Sequence, residues 1–167
     1  MYHVDPDHKE REFLTLDELT AMTEIKLEDP NMAFARDLFI FGCWTGISFI
    51  DIKNLTEDNI SIVNDAPWII SKRQKTGVPF QIKLMDIPML IIERYKSFRK
   101  DNHLFNIGNL DSINKRIKKV AAMCGIKKRV SFHVSRHSWA VLALEYGMPI
   151  ESVSKILGHT NITTTQI

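Results

Sequence analysis

The sequence predicts a mainly α domain with a small three-stranded antiparallel sheet set into its middle, an α+β arrangement. Three observations carry that reading. Apolar residues recur at helical spacing on both flanks of the chain. Residues 59–84 instead break into short β-branched and aromatic runs separated by turn formers. The total of 167 residues, 44% apolar and 25% charged, matches one globular domain and excludes two large ones.

Residues 1–12 show no periodicity and read as a tail or linker, with one domain expected over 13–167. Thr15-Leu-Asp-Glu18 is a capping box, so a helix should run from there to about Ile25. A second helix follows Asp29-Pro30, where Phe34, Ala35, Leu38, Phe39 and Phe41 make a wide buried stripe, and it ends at Thr45-Gly46. A short helix through Ile50, Asp51 and Asn54 comes next. Runs 59–63, 68–72 and 79–84, separated by Asn64-Asp-Ala-Pro67 and Thr76-Gly77, give the three strands. The helical period returns at 88–99, with Asp86 placed to cap and Pro88 in the first turn. Ile113, Ile117, Val120, Ala121 and Cys124 form the next stripe, stopped by Gly125. Ser131 opens a helix through Tyr146, and a last one spans 150–157, closed by Gly158.

The net charge of +2 conceals a polarised chain: residues 1–37 hold 4 Lys/Arg against 10 Asp/Glu, and the remainder holds 18 against 10. From Asn114 to Arg136 the residues Lys115, Arg116, Lys118, Lys119, Lys127, Lys128, Arg129 and Arg136 occur without one acidic neighbour, which suits a polyanion such as nucleic acid. A solvated helix face is the plainer alternative. Apolar runs such as Leu38 to Trp44 fall far short of the roughly 20 residues of a membrane span, and the first residues do not form a secretory signal, so a soluble, cytoplasmic protein is expected with no membrane partner. Cys43 and Cys124 each sit in an apolar helical pattern, which excludes a disulfide scaffold or a cysteine-based zinc site.

Three patches place polar residues where packing alone does not require them. His133 and Arg136 are three apart at a helix start, so they share a face near backbone donors and a positive dipole end. Leu157-Gly158-His159-Thr160 presents an imidazole at a turn. Lys72-Arg73-Gln74-Lys75-Thr76-Gly77 forms a hairpin tip, where strand alternation should send Arg73 and Lys75 to one face. Taken singly, each could be a cap or a solvated cation. Together they suit metal-free stabilisation of a phosphorane-like transition state better than carboxylate-based metal hydrolysis.

With Thr45-Gly46-Ile-Ser-Phe-Ile-Asp51-Ile-Lys-Asn-Leu55, Lys75-Thr76-Gly77, His133-Val-Ser-Arg136-His137 and Leu157-Gly158-His159-Thr160 in this order, the chain resembles the catalytic domain of the tyrosine recombinases, or phage integrases. The likeness covers about Phe13 to Ile167 and is nearest in wording to integrases of conjugative transposons and other mobile elements. It implies site-specific DNA recombination through a 3′-phosphotyrosyl link in a bacterial cytoplasm, with no cofactor. Lys75 falls on the general acid that protonates the 5′-oxygen leaving group. Arg136 falls on the arginine that holds the non-bridging phosphate oxygens, His133 and His159 on the two histidines that complete the pocket, and Asp51 on a supporting acid. The basic residues Lys72, Arg73, Lys115, Arg116, Lys119, Lys127 and Arg129 would contact phosphates of double-stranded DNA.

Two positions depart from the pattern. Ser48 stands where the family's first arginine is expected, and Arg73 is the residue expected to supply the missing guanidinium. The family's nucleophilic tyrosine would follow His159 by about nine residues, and the chain ends at Ile167. The sequence therefore reads as a catalytic domain truncated before its nucleophile and without the N-terminal core-binding domain. As such it is expected to bind DNA without cleaving it, monomeric by itself, whereas the full-length enzyme self-assembles on DNA. The alternative is a catalytically inert DNA-binding module of the same fold. A small regulator with a helix-turn-helix at 150–167 is disfavoured, because it leaves Lys75, His133 and Arg136 without a role.

Overall fold

The computed structural model describes residues 12–157. Seven helices occur among them: α1 (Leu16–Glu24), α2 (Pro30–Thr45), α3 (Phe49–Asn54), α4 (Asp86–Tyr95), α5 (Leu110–Met123), α6 (Phe132–Glu145) and α7 (Ile150–Leu157). Between α3 and α4 lies the antiparallel sheet β1 (Ile60–Val63), β2 (Ala66–Lys72) and β3 (Pro79–Lys83), in the order β1-β2-β3. The fold class is the one the sequence predicts. No described helix is long and apolar enough to cross a membrane.

Helix α2 is the axis of the core. It packs against α1, α4, α5 and α6, which is why Ala35, Leu38, Phe39, Ile40, Phe41 and Cys43 are all buried rather than only one stripe. Two glycines allow this packing. A Cβ on Gly42 would lie 2.6 Å from Ser135 Oγ, so α6 could not cross α2 as closely with any side chain there. Gly46 ends α2 at φ 73°, a left-handed conformation that turns the chain into α3.

Both ends of α1 are fastened. The Thr15 and Glu18 side chains each accept the other residue's backbone N–H, at 3.2 and 3.0 Å, completing the capping box. At the other end the Arg36 guanidinium donates to the carbonyls of Met22, Thr23 and Ile25 at 3.0, 3.3 and 2.9 Å, satisfying acceptors a helix end leaves open. Its Nε donates to Asp37 Oδ1 at 2.7 Å, and Asp37 Oδ2 accepts from Arg94 at 2.8 Å and from the Tyr95 hydroxyl at 2.5 Å. Burial, with the Asp37 carboxylate second, pushes the Tyr95 phenol above its ordinary range. The first residues of the expected domain are also held: Lys128 Nζ donates to Phe13 O at 3.0 Å, and Leu14 N donates to Ser138 Oγ at 2.9 Å.

The sheet register pairs Ile60 with Ile69 and Ile69 with Ile82, which aligns the buried face toward the helices. Four details differ from the sequence reading. The first hairpin turns on Asn64-Asp65 alone, at φ 50° and 62°, so Ala66 and Pro67 belong to β2 instead of to a longer loop. Asp86 is the first residue of α4, and no side chain caps that helix. The α-helix stops at Tyr95 and tightens into a 3₁₀ turn at Lys96–Phe98. Tyr146, expected within its helix, falls just past the end, because α6 closes at Glu145, and is 72% exposed.

Candidate active site

Three elements meet at a cleft of about 360 Å³: the start of α3 with Ser48 and Asp51, the β2–β3 turn with Arg73 and Lys75, and the first turns of α6 with His133 and Arg136. Each is placed by local chemistry. Ser48 is the N-cap of α3, accepting from the Asp51 N–H at 3.4 Å. The turn closes through Arg73 N to Val78 O at 2.9 Å and Gly77 N to Arg73 O at 2.7 Å. At α6 the Ser131 side chain makes no capping bond, and Asn114 of α5 substitutes: its Oδ1 accepts from Phe132 N at 2.8 Å. His133 and His137 stack edge to face one turn apart, 4.6 Å between centroids, with Arg136 on the same side of the helix.

Asp51 is the hub. Its carboxylate is buried and accepts from Ser48 Oγ at 2.7 Å and from Gln74 N at 2.9 Å, with Arg73 Nε at 3.6 Å. The anion thus ties the helix to the hairpin tip and draws the Arg73 guanidinium, whose side chain is only 13% exposed, into the cleft. Facing it, Arg136 is held low, at a pKa of about 10: burial is the main cause, the like charge of Arg73 adds to it, and Asp51 opposes it. Among the described residues that line the cleft, two guanidinia meet one carboxylate in a poorly solvated space, an arrangement that favours a bound oxyanion.

Arg73 and Lys75 do line one cleft, but not by strand alternation. β2 ends at Lys72, and both residues belong to the turn. Lys72 is exposed at the strand end, and Lys115, Lys119, Lys127 and Arg129 are exposed as well. Arg116 falls across the buried Ile113–Ile117–Val120 stripe from Leu110 and Asn114, the α5 residues that line the cleft. Lys118, in the basic stretch but not among the residues expected to contact phosphates, is exposed and continues the row of Leu110 and Asn114 along the helix. Lys128 is engaged elsewhere, with Glu18 Oε1 at 2.6 Å. Leu157 ends α7, and the rest of the Leu157-Gly158-His159-Thr160 motif, His159 included, lies outside the described residues. Among the described residues no group of three His, Cys, Asp or Glu side chains could hold a metal. Asn54, Gln74 and Asn114 carry no sequence signal as site residues, because their partners are distant in the chain.

The profile described as "Phage integrase family" matches residues 12–167. The chain belongs to the phage integrase family. Among its relatives, the tyrosine recombinase XerC of Yersinia pestis is 24% identical over 164 residues, covering 92% of this chain and 53% of that protein. The crystal structure of XerA recombinase superposes with a TM-score of 0.75 at 22% identity, over 93% of this chain and 57% of that one. The Tn1549 transposon integrase, solved in complex with transposon right end DNA, gives 0.71 at 18% identity, over 97% and 62%. These likenesses show a shared tyrosine recombinase catalytic fold. The chain spans about half the length of the curated relatives it matches.

Proposed function

We propose that the full-length protein is the integrase of a bacterial mobile element, cleaving and rejoining double-stranded DNA at specific sites. The observation that carries this reading is the convergence of Arg73, Arg136, Lys75 and His133 on one cleft around Asp51. A tyrosine oxygen attacks the scissile phosphorus as its phenolic proton passes to a histidine of the pocket, a 3′-phosphotyrosyl bond forms, and the 5′-oxygen leaves with a proton from Lys75 Nζ. Arg136 and Arg73 hold the non-bridging oxygens as charge develops on them, and His133 and His159 complete the pocket. Arg73 thereby takes the place of the arginine absent at Ser48, whose hydroxyl is committed to Asp51. Lys72, Lys115, Lys119, Lys127 and Arg129 contact flanking phosphates.

Of the described tyrosines neither Tyr95 nor Tyr146 lines the cleft, and we assign the nucleophile to a tyrosine outside the described residues. By itself the 167-residue chain binds DNA weakly, as a monomer and with steep salt dependence, and does not cut it. The likeness to a transposon integrase supports the mobile-element reading.

The test is a covalent trap on a nicked attachment site with full-length protein. Arg73→Ala should lower cleavage by about 10² to 10³, the cost of one preorganised oxyanion donor. Wild-type cleavage and DNA affinity in that variant would remove Arg73 from the mechanism. No adduct from the unaltered full-length protein would favour the inert DNA-binding module instead.

A further inference from the structure

Gln74 lies between Arg73 and Lys75 and touches neither cleft nor core, yet it is gripped twice by α3. Its backbone N–H donates to Asp51 Oδ1 at 2.9 Å, and its side-chain Oε1 accepts from Asn54 Nδ2 at 2.6 Å. Asp51 and Asn54 are three residues apart, on one side of the helix. A single bond would leave the turn free to pivot about it; two bonds, one to main chain and one to side chain, fix its rotation. Arg73 has a separate tie to Asp51, whereas Lys75, one residue further along an exposed turn, has its direction set by the backbone of Gln74.

We infer that the Asn54–Gln74 side-chain pair is a positioning clasp for Lys75, holding the hairpin tip on α3 so that the ammonium group meets the leaving oxygen. Neither residue lines the cleft, so each acts only through the lysine. The inference rests on the proposed role of Lys75 as general acid. An acid held off its line of transfer loses rate without losing substrate, since orientation of the reacting groups carries much of the barrier reduction.

The experiment uses full-length protein and two nicked attachment sites, one with the ordinary 5′-oxygen at the scissile bond and one with a 5′-bridging sulfur, whose thiolate leaves without being protonated. Asn54→Ala and Gln74→Ala should each slow cleavage of the ordinary site at saturating DNA by about 10-fold, with DNA affinity within about twofold of wild type. On the sulfur site both should cleave at the wild-type rate, and the double variant should be no slower than either single one on the ordinary site. Equal defects on both sites, no defect at all, or a multiplicative loss in the double variant would overturn the clasp. Lys75→Ala separates this from the parent reading. If its larger defect also disappears on the sulfur site, Lys75 is the acid and the clasp stands or falls by itself. If that defect persists, the acid assignment fails and the clasp with it.

Discussion

Replacing Gly46 with alanine should be among the most damaging single changes in the helical core, and its cost has two separable parts. The backbone there sits at φ 73°, where a Cβ crowds the following carbonyl, at about 1–2 kcal/mol. The added methyl would also lie 2.6 Å from both Cδ2 and Cε3 of Trp139, well inside contact distance. The indole is 6% exposed on α6 and has nowhere to retreat, so overpacking adds about 1–3 kcal/mol. The sum, about 2–5 kcal/mol, is a large share of the 5–15 kcal/mol typical of a domain. For a chain of this size it predicts a drop in Tm of roughly 4–20 °C in a melt followed by far-UV circular dichroism. Because Ser48 and Asp51 follow two and five residues later and Arg136 lies one turn from Trp139, short-duplex DNA binding should weaken even below the melting range. A Gly46→Ala variant that melts within 1 °C or so of the parent chain would refute both the left-handed turn and the indole contact as reasons for glycine here.

Other consequences are open to direct measurement. Arg36→Met keeps the apolar stem but removes three bonds to carbonyls at the end of α1 and just past it, and one partner of Asp37, so urea unfolding should report a loss of about 3 kcal/mol; a loss below about 1 would mean the network is dispensable. Asp65→Gly relieves a left-handed aspartate in a two-residue hairpin turn and should raise stability by about 0.5 kcal/mol, whereas a lower Tm would argue against that turn geometry. For Glu18, burial works against the carboxylate, but Lys128 and Thr15 together outweigh it and hold its pKa below the ordinary 4.5. The folded state therefore binds that proton less readily than the unfolded chain, and this part of the stability, full above the unfolded value, disappears as pH falls through the lowered one. In acid titrations followed by unfolding, Lys128→Met should flatten that portion of the curve; an unchanged slope would remove the pair from the account.

Features whose partners are close in sequence were legible from sequence. The Thr15–Glu18 box, the Pro30 start and the Gly46 stop all landed where predicted, since each depends on residues within about four positions. Turn formers located the sheet, although Ala66-Pro67 resembled loop because composition does not reveal that Asn64-Asp65 alone can reverse the chain. Burial of Arg36 and Asp37 could not be read, since Arg94 and Tyr95 approach them from 57 and 58 residues away. The site shows the same division. His133 and Arg136 share a face by helical period alone. Arg73 and Lys75 were paired for the wrong local reason, strand alternation, and what brings them to the cleft is a turn held by Asp51 from 23 residues back.

The two walls of the cleft also differ in how they are supported. Arg136 stands on a helix buried against the central axis of the core, while Arg73 and Lys75 ride together on one short turn whose link to α3 passes through Asp51 and Gln74. Lifting that turn by a few ångströms would withdraw a guanidinium and an ammonium in a single motion and leave the helical core intact. If Arg73 fills the role proposed for it, such local opening would remove two cations from the phosphate at once while Arg136 stays, and amide hydrogen exchange at Gln74 would register it well below the protection of α2.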